Sequence, residues 1–130
     1  TRTDGRLAAV GANCGIGPGD AVAAVFDLTA VAGDLIGVTK PNCGMPLYET
    51  DRLVYPIGPD GMGVFVDLAI RSGARIVGTC CGSTPDHIAA VRRAVDGHRG
   101  GERPERSEIE RALAARPVAE SPTPRHRRRG

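Results

Sequence analysis

The chain has 130 residues, 41% hydrophobic and 25% charged, with a formal net charge of +2. This is the balance of a globular domain, and no apolar run approaches the roughly 20 residues a membrane span needs. With no Trp, two Tyr and two Phe, the core must be aliphatic and an aromatic base-stacking surface is not expected.

The opening, Thr1 to Arg6, is polar and has no leader character, so the expected compartment is the reducing cytoplasm. A start at Thr rather than Met suggests a piece of something longer. Leu7 to Val10 reads as a short strand ending in Gly11-Ala12-Asn13-Cys14. After a glycine-rich turn, Asp20 is a good N-cap for an apolar helix over Ala21 to Ala32. Asp34 to Val38 is the next strand, ending in Thr39-Lys40-Pro41-Asn42-Cys43-Gly44. A long loop from Met45 to about Asp60 precedes a helical pattern from Met62 to Arg71, which Gly73 closes. Ala74 to Val77 is a third strand, followed by Gly78-Thr79-Cys80-Cys81-Gly82. Thr84 as N-cap and Pro85 at the first helical position start a helix that runs to about His98.

Three strand-helix units of roughly 30 to 37 residues imply an α/β fold, with parallel strands and flanking helices. A closed (β/α)8 TIM barrel takes about 250 residues. Three units therefore fit part of a barrel better than a finished domain. Residues 1 to 98 carry eight Lys and Arg against ten Asp and Glu; residues 99 to 130 carry nine against five. We therefore expect a domain over 1–100 and a basic, Pro-rich, disordered tail over 101–130, with a short helix-compatible stretch from Ser107 to Arg116. Arg125, Arg127, Arg128 and Arg129 could meet nucleic acid or an acidic surface, but a solvated end is expected, with neither nucleic acid nor membrane as partner.

The chemically loaded residues all lie at strand-to-helix turns, which line the active-site face of parallel α/β folds. In a reducing compartment, thiols so placed favour metal binding or thiol chemistry over disulfides. The sharpest reading is a zinc site formed by Cys14, Cys80 and Cys81, because three thiolates leave one tetrahedral position open for a substrate. The adjacent pair can share a metal only if the strand ends there, and Gly82 permits the bend. The competing readings are packing thiols, a non-catalytic metal-binding module or truncated remnant, and a redox protein using Cys80-Cys81. The absence of CxxC spacing weighs against the last. His87 reads as a helix-surface or cap residue rather than a ligand.

Gly78-Thr79-Cys80-Cys81-Gly82-Ser83-Thr84-Pro85-Asp86-His87-Ile88 resembles the GGCCGTTPxHI signature of the homocysteine S-methyltransferase domain family, which has cobalamin-dependent and betaine-dependent branches. Gly11-Ala12-Asn13-Cys14 is similar to its GxNC element, and Pro41-Asn42-Cys43-Gly44-Met45-Pro46 to its PNAGxP element. The resemblance covers about residues 5 to 98. It implies the C-terminal part of a (β/α)8 barrel and zinc-dependent methyl transfer to homocysteine, giving methionine, with Cys14, Cys80 and Cys81 as metal ligands. Asn13 and Asn42 become candidate substrate-side residues: Asn13 to orient the Cys14 loop, and Asn42 to approach the metal or cap its turn. Cys43 stands where the family has a small residue and is taken as packing. Thr79 stands where Gly is commoner. The PNxGxP element is closer to the cobalamin-dependent branch, so the resemblance points to methylcobalamin, although betaine, S-methylmethionine or another methyl compound would meet the same thiolate. The family's DGAMGT-like strand end and its acidic homocysteine-binding residues have no match here. The expected partners are therefore homocysteine, a methyl donor and the N-terminal half of the barrel, in this or another chain, without which weak folding and no turnover are expected.

Overall fold

The computed structural model describes residues 7–114. Three parallel strands, β1 (Ala9–Cys14), β2 (Ile36–Pro41) and β5 (Ala74–Val77), form one sheet in the order β1-β2-β5. Helix α1 (Pro18–Val31) connects β1 to β2, α2 (Met62–Arg71) precedes β5, and α3 (Pro85–Gly97) follows it. The α/β reading therefore holds: a parallel sheet flanked by helices, with each strand paired to the next of its kind along the chain.

Local chemistry sets the boundaries. Pro85 at the first helical position and Thr84 as N-cap start α3, and α2 ends at Arg71, capped by Ser72, with Gly73 beyond it at φ 98°. This left-handed conformation costs glycine little and other residues more. Helix α1 starts three residues before the expected Ala21, because Pro18 supplies a preset φ at the first helical position. Asp20 accordingly lies in its first turn rather than at the cap.

The first two strands run further than their apolar cores suggest. Asn13 pairs with Lys40 and Cys14 with Pro41, so these polar residues continue the ladder instead of opening a turn. The stretch expected as a loop folds into a small antiparallel hairpin, β3 (Leu47–Glu49) and β4 (Arg52–Val54), followed by a 3-10 turn at Pro59–Gly61. Its Tyr48 and Leu53 are exposed. Without a buried face, the hairpin lacks the apolar alternation that marks a strand.

The core lies between the sheet and the helices, around Val22, Val25, Met62, Phe65, Val66 and Leu68. Gly37 and Thr39 of β2 face this layer, where the Thr39 hydroxyl donates to Ala21 O at 3.4 Å. The other face is poorly covered: Lys40 is exposed and Ile76 retains 48% of its accessible surface. A fourth helix, α4 (Arg106–Ala112), occupies part of the expected tail and packs on α1. Its Ile109 is fully buried, and Arg71 pairs with Glu108 at 2.7 Å and Arg106 with Asp27 at 2.7 Å. Residues 115–130, including Arg125 to Arg129, lie outside the described residues. Among the described residues, no helix is long and apolar enough to cross a membrane.

Candidate metal centre

The site sits where the strands end. Cys14 is the last residue of β1, while Cys80 and Cys81 lie just past β5. Those strands flank β2 and are two strand spacings apart, roughly 9.5 Å. Their thiols nevertheless converge. Cys14 Sγ lies 4.0 Å from Cys81 Sγ, Cys80 Sγ lies 3.8 Å from Cys81 Sγ, and all three are within 4.8 Å of one another. The two turns therefore bend inward over the end of β2.

Backbone hydrogen bonds from the middle turn hold that bend. Asn42 N–H donates to Cys14 O at 3.3 Å, Cys80 N–H to Pro41 O at 2.7 Å, and Cys43 N–H to Cys81 O at 2.9 Å. Cys14 itself adopts φ 69°, a left-handed conformation unusual for a residue with a Cβ. Gly82 sits at φ 79°, and a Cβ there would lie 2.2 Å from the Tyr55 ring. The bend after the adjacent cysteines thus needs glycine twice over, for its φ and for the ring packed against it.

The spacing suits a tetrahedral cation. Two sulfurs bound at about 2.3 Å on tetrahedral directions lie about 3.8 Å apart. The thiols also influence one another's protons. Hydrogen bonding with Cys81, with burial and Cys80 adding to it, raises the Cys14 pKa. Cys80 is lowered, first by the Cys81 side chain, then by the Cys81 backbone, with smaller contributions from Cys14 and Asn13. Cys80 therefore ionises more readily than Cys14.

Cys43 is not part of the cluster. It is fully buried, with its sulfur 3.4 Å from Ser83 Oγ. Asn13 is exposed on β1 and makes a small contribution to the lowered Cys80 pKa. Asn42 is only 5% exposed; its Nδ2 donates to Gly15 O at 2.7 Å, while its Oδ1 is buried with no partner. Such an orphaned acceptor beside Cys14 is costly unless something meets it. His87 is a cap, as its position after Thr84 suggests, but its second contact, to Ile57 O, had no signal in the sequence.

The sequence profile of homocysteine S-methyltransferase matches residues 1–95. The chain belongs to the homocysteine S-methyltransferase family. Among relatives of known name, it is 36% identical over 93 residues to a methionine synthase of Mycobacterium leprae (strain TN), covering 68% of this chain and 8% of that protein. It is 34% identical over 87 residues to a methionine synthase of Mycobacterium tuberculosis (strain ATCC 25618 / H37Rv), covering 66% of this chain and 7% of that protein. The chain thus spans less than a tenth of the length of these homocysteine S-methyltransferase family relatives.

Proposed function

We propose that the chain carries the zinc-binding part of a methyltransferase that moves a methyl group from a donor to the sulfur of homocysteine, forming methionine. The observation that carries this reading is the convergence of Cys14, Cys80 and Cys81 within 4.8 Å in a member of this family. The donor set fits zinc: three thiols within 4.8 Å of one another, two of the pairs at 3.8 and 4.0 Å, a fourth thiol, Cys43, held away, and an unpartnered buried amide oxygen on Asn42. The unit is read as about three βα units from the C-terminal part of a (β/α)8 barrel, with its domain ending near residue 100 and α4 packed back on it.

When bound, zinc supplies the positive charge that favours the thiolate of a fourth, substrate sulfur at neutral pH. Cys14, Cys80 and Cys81 would hold it, and with Cys43 held away from them no fourth cysteine would compete with a substrate sulfur. Asn13, one residue before Cys14 on β1, is placed to orient the Cys14 loop and contributes to lowering the Cys80 pKa. Asn42 has its amide nitrogen engaged with Gly15 O, so its Oδ1 is available to the site when no substrate sulfur is present. In the reaction a C–S bond forms between homocysteine sulfur and the methyl carbon, the methyl–donor bond breaks, and its electron pair leaves with the donor. Methylcobalamin is the donor this reading favours. The homocysteine amino group is held by residues outside this chain's matched elements.

The test is the zinc content of protein purified without added metal, with Cys14→Ser alongside. About one zinc per chain, lost in the variant, is the expected result. A chain that is folded yet holds no zinc overturns the reading. Methyl transfer to homocysteine, on supplying the rest of the domain, then tests the reaction itself.

A further inference from the structure

We propose that the His87 imidazole is a positioning residue for the Cys80–Cys81 turn, acting as a pin that ties helix α3 to the segment Tyr55-Pro56-Ile57 lying across the turns. Thr84 N–H, which can only donate, reaches His87 Nδ1 at 3.1 Å, and the Thr84 hydroxyl lies 2.8 Å from the same atom. Nδ1 is therefore an acceptor, and the ring proton sits on Nε2. Nε2 then donates to Ile57 O at 2.9 Å. The ring is 6% exposed, so neither contact is diluted by solvent.

Ile57 is the key to the circuit. Its N–H donates to Cys43 O at 3.1 Å, and Cys43 N–H donates to Cys81 O at 2.9 Å. Cys81 leads through Gly82 and Ser83 back to Thr84, which closes the loop at His87. The segment that His87 grips also packs on both turns: the Tyr55 ring lies against Gly82 and Pro56 against Gly44. Removing the Nε2–H donor leaves a carbonyl without its partner and frees the wedge that keeps both turns in place. The positions of the two adjacent sulfurs relative to Cys14 loosen with it.

The inference rests on the metal-site reading, and the experiment separates the two. In the full 130-residue chain, His87→Asn keeps an acceptor near the Nδ1 position and so keeps the cap, while His87→Gln keeps a donor near Nε2. Cobalt(II) affinity, from the thiolate-to-cobalt absorption band, is measured with hydrogen exchange of the Cys43 and Ile57 amides in metal-free protein. His87→Asn is expected to bind cobalt about tenfold more weakly, as when an outer partner of a metal site is lost, and to lose protection at both amides. His87→Gln is expected to restore both. Wild-type affinity and protection in His87→Asn overturn the proposal, and so do equal losses in the two variants, which trace the effect to ring volume. If wild-type chain binds no cobalt, the metal reading fails, and amide protection alone decides whether His87 pins the turn.

Discussion

Three thiols that share protons do not behave alike. Cys80 is held below the ordinary thiol range by hydrogen bonds from Cys81, and Cys14 is held above it. Only thiolates alkylate or bind a metal. In metal-free protein, a short iodoacetamide pulse at rising pH should therefore label Cys80 at lower pH than Cys14, read by peptide mass spectrometry. Equal labelling of the two at every pH would contradict the arrangement. Glycines near the site separate in the same way. Gly82→Ala places a Cβ on the Tyr55 ring in a left-handed backbone, and the conformation alone costs about 1–2 kcal/mol. Gly63, inside α2 with open space around it, should instead gain about 0.5–1 kcal/mol on becoming Ala. Denaturant melts of the two variants should move in opposite directions.

Among the elements, α4 depends most on charge. Arg71 contacts Asp67 and Glu108, and this guanidinium holds the Glu108 carboxyl below its usual value. A carboxyl lowered on folding adds stability above its unfolded value and gives it up as pH falls through the folded value. Docking of α4 should therefore weaken in acid, and Glu108→Gln should remove that part of the pH dependence in thermal melts. Ile109→Ala should cost about 2–5 kcal/mol whatever the pH, since a fully buried side chain is truncated. The chain marks α4 as a helix-compatible stretch, Ser107 to Arg116, but its docking had no local pattern, since its charged partners lie 37 and 79 positions away. Helices α2 and α3 were legible because Gly73, Thr84 and Pro85 mark their ends. The three cysteines were legible because each follows a strand. The ends of β1 and β2 were not, since Asn13, Lys40 and Pro41 keep the ladder without apolar character. His87 to Ile57 O was invisible for another reason: a backbone carbonyl 30 positions away has no sequence signature.

For the whole molecule, a cation bound by Cys14, Cys80 and Cys81 would tie both edges of the sheet together across β2. A ligand that binds only the folded chain stabilises it by about 2.7 kcal/mol at a hundred times its dissociation constant. The melting temperature should therefore rise with zinc in wild-type protein and stay flat in Cys14→Ser. The inward bend of the two turns has a kinetic corollary. Cys14 and Cys81 are separated by 67 positions, and their sulfurs come within range only after β1 and β5 have both zipped onto β2. Chelation is thus a late event on the folding route, gated by the slow closure of distant segments. During refolding, the appearance of the thiolate-to-metal band becomes a clock for completion of the sheet, lagging behind helix formation and independent of cation concentration once the cation is in excess.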